Sequence, residues 1–499
     1  MAAGARVELS DAIRAALTET GALGATIRQL ASRLDDRPRR VETALAELHD
    51  QGRVLRMGRG LWMLRDYERL PGRPDFVDPE EFVDRFERES GVRLGRYAGP
   101  ITFRSNEALP VHRWWPYVQG FSADFVRGVL DTHAVDRGTV LDPFAGSGTT
   151  LVEARRAGRR AWGTELLAPA VLAARVKTDF ELDPEGLARA SDRMLGRAAG
   201  RTADGPLPFL RETRRQFSPR ALTELRRLRD ALPVGERPVD RALRLAFGRV
   251  LIPASRLHRS PCLGYGRRTD AGGPSATDRF RAAVAQMADD LRTLGPSRPE
   301  WGPRARVETR DARDGRWPAG SVDLAITSPP YVNGMDYVMN YKVDLAWLGY
   351  VRSYRELAQL RAAEVACDNL PRAETAPYLD PAIAPDPWLP EILERIRDNV
   401  RRKGTYRRDD MHGIVHRYFA DLVPVLRGVR AALVPGGRFV LVVGDSLIAG
   451  AYIPGDLLLA RVATHHGFSI ESVEVARARR SGQRRSFALR ETVVTLRRT

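Results

Sequence analysis

The segment from Val140 to Thr150 has the residue types of a turn that binds a ligand through its backbone. An apolar run ends at Asp142 and leads through Gly146 and Gly148 into a sequence with helical spacing. Glycine in such a turn permits positive φ and close approach of a ligand, and the helix that follows presents free N–H groups at its N-terminus. The turn lacks the lysine of a phosphate-binding P-loop and the third glycine of a dinucleotide fingerprint, so both of those sites are disfavoured.

An acidic residue, Glu165, ends the next strand-like run, which begins at Ala161. A carboxylate at the end of a strand can accept hydrogen bonds from both hydroxyls of a ribose. The alternative is a surface glutamate that caps a helix. The order of strand, glycine turn, helix and acidic strand end favours the ribose interpretation.

A second motif, Ser328-Pro329-Pro330-Tyr331, follows the apolar run that ends at Thr327. Consecutive prolines stiffen the chain and remove two N–H donors. The Pro329 carbonyl and the Ser328 hydroxyl can then accept both hydrogens of an aromatic amino group, while Tyr331 offers a flat ring for stacking. A proline-rich exit from a strand would explain the prolines but not the whole set.

Together these motifs resemble the amino-methyltransferases of DNA, which act on cytosine N4 or adenine N6. Residues 142–150 resemble the cofactor motif of that family, and 328–331 resemble its catalytic tetrapeptide, in the permutation that places the cofactor motif first. The resemblance extends over about 110–180 and 305–497. It implies a Rossmann-like class I methyltransferase fold with a seven-stranded, mostly parallel sheet, S-adenosylmethionine as the cofactor and double-stranded DNA as the substrate.

The resemblance also implies roles for single residues. Ser328, Pro329, Pro330 and Tyr331 would be catalytic, and their Thr-Ser-Pro-Pro-Tyr form is more typical of enzymes that act on cytosine N4. Adenine N6 is the alternative target. The residues implied to bind the cofactor are Asp142, Phe144, Gly146, Gly148, Thr149, Glu165, Asp311 and Phe121.

The implied reaction needs no metal and no covalent intermediate, because the methyl donor is already activated and catalysis is mostly alignment. The target base would be flipped out of the duplex and stacked on Tyr331. Asp336, Tyr337 and Asn340 follow the tetrapeptide and are candidates to shape the base pocket, with ordinary helix positions as an equal alternative. Pro261-Cys262 resembles the pair used for cytosine C5 methylation, but it lies between helices, so that chemistry is disfavoured.

Two other function classes remain open at this stage. An RNA methyltransferase could use the same tetrapeptide, although no aromatic RNA-binding strand is apparent. A non-catalytic DNA-binding regulator could keep the fold, although the motifs show no sign of decay. No Asp/Glu-x-Lys precedes Lys177, Lys342 or Lys403, so any restriction or defence nuclease partner would be on another chain.

Strand-like runs alternate with helical patterns from residue 111 onward, which predicts an α/β domain over 111–499. The expected strands are 139–141, 161–165, 307–310, 322–327, 438–443, 469–475 and 491–496. Two helical insertions, at about 181–304 and 351–415, are candidates for target recognition. Residues 67–110 are expected to form a linker and approach segment with a short helix near 79–89.

The first 66 residues predict three helices and a hairpin, which resemble a winged helix-turn-helix domain. Arg37, Arg39 and Arg40 lie at the start of the third helix, the end that would enter the major groove. These residues, named the α3 arginines below, are therefore candidates for DNA binding. The alternative is a winged helix that docks another protein.

Composition agrees with a nucleic-acid partner but does not require one. The 499 residues suggest about two to four structural units. The net charge of +17 is almost all arginine, which a polyanionic partner or a GC-rich genome would explain equally. Two cysteines form neither a disulfide framework nor a zinc site alone. No signal peptide or membrane span is apparent, so a cytoplasmic protein is expected.

Overall fold

The computed structural model describes residues 2–20, 24–56, 60–64, 79–117, 119–133, 136–259, 262–266, 273–295, 300–332, 334–366, 383, 386–403, 409–480 and 488–499. In the described part of the chain, no helix is both long enough and apolar enough to cross a membrane.

The N-terminal unit contains three helices and a small antiparallel sheet. Its elements are α1 Ala2–Thr20, β1 Ala25–Thr26, α2 Ile27–Arg33, α3 Pro38–Asp50, β2 Val54–Arg56 and β3 Leu61–Leu64. The predicted hairpin is confirmed, since Val54 pairs with Leu64, and β3 lies between β1 and β2. Its predicted turn at 57–59 lies outside the described residues. Thr26 and Gln29 form a capping box that starts α2.

The segment between this unit and the α/β domain adds a strand that the sequence did not predict. It contains α4 Pro79–Ser90, which confirms the expected short helix, and β4 Leu94–Arg96. Because β4 joins the large sheet, that sheet has eight strands, and the prediction of seven was wrong. A three-residue strand with the sequence Leu-Gly-Arg has too little alternation to be recognised. The linker at 67–78 lies outside the described residues.

The α/β domain contains the remaining elements. Its first part comprises α5 Ala123–Thr132, β5 Thr139–Asp142, α6 Thr149–Arg156, β6 Arg160–Glu165 and α7 Ala168–Lys177. The first insertion comprises α8 Pro184–Ala199, α9 Thr213–Gln216, α10 Pro219–Ala231, α11 Pro238–Leu251, β7 Leu257–Arg259, β8 Leu263–Tyr265 and α12 Ala276–Leu294.

The chain then returns to the sheet. These elements are β9 Arg306–Thr309, β10 Val322–Thr327, α13 Tyr337–Asn340, α14 Lys342–Trp347, α15 Tyr354–Ala362, α16 Trp388–Lys403, α17 Met411–Ala432, β11 Leu433–Gly444, β12 Ser446–Ile448, β13 Ala451–Ile453, α18 Gly455–Thr464, β14 Phe468–Arg480 and β15 Ala488–Arg498. All seven predicted strands are present, and α15 and α16 form the helical part of the second insertion.

The sheet has the order β4-β14-β15-β11-β10-β5-β6-β9. Strands β11, β10, β5, β6 and β9 are parallel, whereas β15 runs antiparallel to both of its neighbours. This topology places the ends of β5, β6, β10 and β11 at one edge of the sheet. Open α/β sheets bind ligands at that edge.

Successive residues of each strand face opposite sides of the sheet. Because both sides carry buried apolar residues, helices cover both faces. In β10, Leu324 and Ile326 belong to the core that contains residues of α5 and α6, whereas Ala325 belongs to the core of α16, α17 and α18. The first insertion forms a third core with α7 and α14. The strand ends at the ligand edge are therefore held rigidly.

Candidate active site

A cavity of about 930 Å³, measured with its open mouth, lies at the carboxyl-terminal edge of the parallel strands. Seven of the eight predicted cofactor residues line it: Asp142, Phe144, Gly146, Thr149, Glu165, Asp311 and Phe121. Gly148 lies in the same loop and shapes the cavity through the backbone. Ser328 and Pro330 of the tetrapeptide also face this cavity, so the two predicted motifs meet in space.

Asp142 joins the two motifs. Its carboxylate accepts hydrogen bonds from the Thr327 hydroxyl at 2.6 Å, the Thr150 hydroxyl at 2.7 Å and the Phe144 N–H at 3.1 Å. Burial raises the pKa of Asp142 to about 6, although these hydrogen bonds favour the charged form. Asp142 therefore fixes the end of β10 against the glycine turn and the first turn of α6.

Two glycines in the turn are required by conformation and by packing. Gly146 has φ +50° and Gly148 has φ +87°, both in the left-handed region. A Cβ on Gly148 would lie 2.8 Å from the Cβ of Ala174 in α7, and one on Gly146 would lie 2.9 Å from the Tyr117 ring. Gly148 thus permits close packing of α7, while Gly146 lets the Tyr117 ring approach the cavity.

Glu165 holds the opposite side of the turn. Its carboxylate accepts the Gly146 N–H and the Leu167 N–H, each at 2.9 Å. Burial and the neighbouring Asp142 carboxylate raise the pKa of Glu165 to about 7. Each carboxylate oxygen can accept a further hydrogen bond, so the side chain can still receive ribose hydroxyls.

The remaining predicted cofactor residues lie at other parts of the wall. Asp311 forms an ion pair with Arg313 at 2.6 Å, and Arg313 also contacts Asp421 at 3.0 Å. Phe121 packs on Phe125 with ring centroids 5.3 Å apart. The cavity thus has apolar walls and four carboxyl side chains, those of Asp142, Glu165, Asp311 and Glu364, which fits a cofactor with an adenosine part. Its size and its glycine turn fit S-adenosylmethionine.

The tetrapeptide follows β10 directly. The Ser328 hydroxyl donates to the Val442 carbonyl at 3.1 Å, so its oxygen can still accept from an amino group. Pro329 is buried. The Tyr331 hydroxyl donates to Glu491 at 2.8 Å, and burial beside this carboxylate raises the pKa of Tyr331. A Cβ on Gly444 would lie 2.8 Å from the Tyr331 ring, so the ring packs directly on the end of β11.

A second cavity, of about 440 Å³, lies next to the first. Ser328 and residues 119–121 line both cavities, whereas Tyr331 and Glu491 line only the second. The two cavities are therefore adjacent, and the Ser328 side chain lies in the wall that they share.

Of the three candidates for the base pocket, one lines the first cavity and none lines the second. Tyr337 lines the first cavity, and its hydroxyl donates to Gln119 at 3.2 Å. Asp336 caps α13 and pairs with Arg361 at 2.6 Å. Asn340 is buried and lines neither cavity. Of the three, only Tyr337 is exposed to a cavity.

The α3 arginines and Cys262 lie on the protein surface. The α3 arginines are all exposed, and Arg40 pairs with Asp36 at 3.1 Å. Cys262 is exposed in the turn before β8, away from both cavities, and Pro261 lies outside the described residues. This placement agrees with the low weight given to C5 chemistry.

Several residues of the site were not recognised in the sequence. Thr327, which binds Asp142, could have been found, because a hydroxyl at a strand end beside the tetrapeptide is a usable signal. Tyr117 and Glu364 line the first cavity from the segment before α5 and from the second insertion, where no motif marks them. Arg479 and Glu491 reach the second cavity from the last two strands, and only the sheet topology brings them there.

The fold and the site together define an S-adenosylmethionine-dependent methyltransferase. Residues 112–174 match the N6/N4 DNA methylase family. The chain is 23% identical over 417 residues to the type II methyltransferase M.BsoBI of Geobacillus stearothermophilus, covering 74% of this chain and 80% of that protein. It is 24% identical over 405 residues to the type II methyltransferase M.AvaI of Nostoc, covering 75% and 82%. These matches confirm the predicted resemblance to the DNA amino-methyltransferases.

Solved structures are similar only at a low level. TrmN from Thermus thermophilus shares 13% identity with a TM-score of 0.25, covering 76% of this chain and 49% of that chain. A similarity of this size carries no argument about the function of the present chain.

Proposed function

We propose that the protein transfers a methyl group from S-adenosylmethionine to N4 of cytosine in double-stranded DNA. The observation that carries this proposal is the position of Ser328 in the wall shared by the two cavities. Its hydroxyl hydrogen is used by the Val442 carbonyl, so its oxygen is free to accept from an incoming amine. The resemblance of Thr-Ser-Pro-Pro-Tyr to N4 enzymes supports cytosine over adenine.

When bound, S-adenosylmethionine supplies an activated methyl group. Glu165 and the glycine turn would hold its ribose, and Asp311 would hold its adenine. Ser328 and the Pro329 carbonyl would accept the two amino hydrogens, which directs the nitrogen lone pair towards the first cavity. The methyl group supplied there would be transferred to this nitrogen, and the extra amino proton would then pass to water. Most of the rate enhancement would come from this alignment.

Tyr331 would stack on the flipped base in the second cavity, a contact worth about 1–3 kcal/mol. Its hydroxyl is held by Glu491, and its ring packs on Gly444, so the ring is positioned before a base enters. A ring held in this way costs little side-chain entropy on binding. The proposed role of Tyr331 is therefore to fix the plane of the base.

The N-terminal unit and the insertions are proposed to bind DNA outside the reacting base. The exposure of the α3 arginines supports a winged helix-turn-helix that contacts the duplex. Residues 363–365 of the second insertion line the first cavity, which supports a role for that insertion near the reacting groups. Because the relatives are named type II methyltransferases, we also propose a restriction or defence partner on another chain.

Methylation of duplex DNA in vitro, followed by nucleoside mass spectrometry, tests the proposal. We expect N4-methylcytosine, and we expect Tyr331→Ala and Pro329→Ala to abolish most of it while calorimetry shows unchanged cofactor affinity. Tyr331→Phe is the matched control, because it keeps the stacking ring and should retain most activity. N6-methyladenine as the only product would support the alternative target, and a product found only in RNA would refute a DNA enzyme.

A further inference from the structure

The second cavity contains charged groups that the proposed reaction has not yet used. Its wall includes Arg477, Arg479 and Glu491 beside Ser328 and Tyr331. Glu491 accepts hydrogen bonds from the Tyr331 hydroxyl and from Nε of Arg477, so both of its oxygens are engaged. Arg477 therefore neutralises Glu491 and helps to hold Tyr331. Arg479 is left as the cation without a carboxylate partner among the ion pairs of the described residues.

Arg479 is less exposed than Arg477, whose side chain is 45% exposed. The guanidinium of Arg479 lies 5.3 Å from the centre of the Tyr331 ring, and its Nη2 donates to the Asp445 carbonyl. Its Nε has no hydrogen-bond partner among the described residues. A guanidinium carries five N–H donors in a planar fork. Among the described residues, the Asp445 carbonyl therefore accepts one N–H of Arg479, Nε is buried without an acceptor, and the donors left for a ligand are on the two Nη atoms.

The pairing edges of the two candidate bases differ in a way that suits these donors. Cytosine presents an amino donor followed by two acceptors, the ring N3 and the O2 carbonyl. Adenine presents an amino donor followed by one acceptor and a C–H. A fork of two adjacent donors matches two adjacent acceptors and leaves one donor unsatisfied against adenine.

We infer that Arg479 is a specificity-determining residue that donates hydrogen bonds to N3 and O2 of the target cytosine. With Ser328 and the Pro329 carbonyl as acceptors for the amino group, the cavity would present acceptors and donors in the order that guanine presents them in a base pair. Arg479 lies over the Tyr331 ring and lines the same cavity, so its guanidinium would be near a base that is held in that cavity against the ring. This inference rests on the proposed function and names the group that selects the base.

The test couples a change in the protein to a change in the base. Two duplexes are prepared that differ at the methylated position identified by mass spectrometry. One carries cytosine there, and the other carries 3-deazacytosine, which lacks the N3 acceptor. Single-turnover rates are measured for the full-length wild type, Arg479→Ala and Arg479→Lys. We expect Arg479→Ala to lower the rate on cytosine about 10- to 100-fold, the effect of losing hydrogen bonds to a charged donor. On 3-deazacytosine the same substitution should lower the rate by a clearly smaller factor.

Controls separate a change in recognition from a change in folding. Cofactor affinity by calorimetry should match that of the wild type in both variants, and Arg479→Lys keeps the charge if alanine disturbs the wall. Arg477→Ala is the comparison variant, and we expect it to lower both rates by the same factor, because it acts through Glu491 and Tyr331. The inference would be overturned if Arg479→Ala and Arg479→Lys each lowered the single-turnover rate on cytosine and on 3-deazacytosine by the same factor. If the wild type formed no N4-methylcytosine, the proposed function itself would fail.

Discussion

The cofactor affinity should depend on pH through Glu165. Its carboxylate accepts two backbone N–H groups at 2.9 Å, and its pKa is raised to about 7 by burial and by Asp142. Ribose hydroxyls are donors to this carboxylate in the proposed complex, so the cofactor prefers the charged form. Lowering the pH through 7 protonates the carboxyl and removes an acceptor. The affinity should therefore fall as the pH falls.

The size of the effect follows from one proton. The dissociation constant of the cofactor is proportional to one plus the ratio of protonated to charged Glu165 carboxyl. With a pKa of about 7, the constant rises about tenfold when the pH is lowered from 8 to 6. This factor corresponds to ~1.4 kcal/mol of binding free energy. Glu165→Gln removes the charge and one acceptor. We expect this variant to bind about 10- to 100-fold more weakly at pH 8, since a hydrogen bond to a charged group contributes about 1.5–3 kcal/mol.

Calorimetric titration of S-adenosylmethionine at pH 6, 7 and 8 measures both effects. The Glu165→Gln variant should show a smaller pH dependence, limited to the acid end of this range, where Asp142, with a pKa of about 6, becomes protonated. Asp142→Asn should move the inflection of the wild-type curve to lower pH, because the Asp142 carboxylate raises the pKa of Glu165. Glu364 faces the same cavity, but its pKa is raised to about 9, so it stays protonated throughout. A flat wild-type curve, or an unchanged slope in Glu165→Gln, would refute the reasoning.

Two further predictions concern the glycine turn and the N-terminal unit. Gly148→Ala would place alanine at a positive φ, which costs about 1–2 kcal/mol, and would overpack against Ala174, which costs about 1–3 kcal/mol. Denaturant unfolding should therefore show a free energy of unfolding that is lower by about 2–5 kcal/mol. Gly196→Ala in α8, where an added Cβ meets nothing within 4 Å, is the control and should be neutral or stabilising. Alanine at all three α3 arginines should make the salt dependence of DNA affinity shallower by up to about 2.7 in the log–log slope. An unchanged slope would favour the protein-docking alternative.

The sequence was sufficient to predict the strands and the turn that form the first cavity. The strand before the glycine turn is an apolar run, and the next strand ends in an acidic residue, so both can be recognised from neighbouring residues alone. The tetrapeptide was placed correctly at the end of β10 for the same reason. Strand β4 was missed because three residues at the edge of a sheet leave no pattern of alternation.

The second cavity could not be predicted, because its residues meet only through long-range strand pairing. Glu491 is 160 residues from Tyr331, and their hydrogen bond exists because β15 pairs with β11. The candidates for the base pocket were chosen by nearness in sequence to the tetrapeptide. The chain turns after Tyr331, however, so that Tyr337 faces the first cavity instead. Nearness in sequence is a poor guide where a loop reverses direction.

The contact between Asp142 and Thr327 has a consequence for how this site can diverge among relatives. The two residues are 185 positions apart, yet the hydroxyl of one satisfies the buried carboxylate of the other at 2.6 Å. Valine at 327 would fit the space but remove one of the two donors to Oδ1 of Asp142, and a hydrogen bond to a charged group contributes about 1.5–3 kcal/mol. Serine would preserve the donor. Lineages that lose the hydroxyl should therefore also change the acid, so the two positions are expected to mutate as a pair although 185 positions separate them.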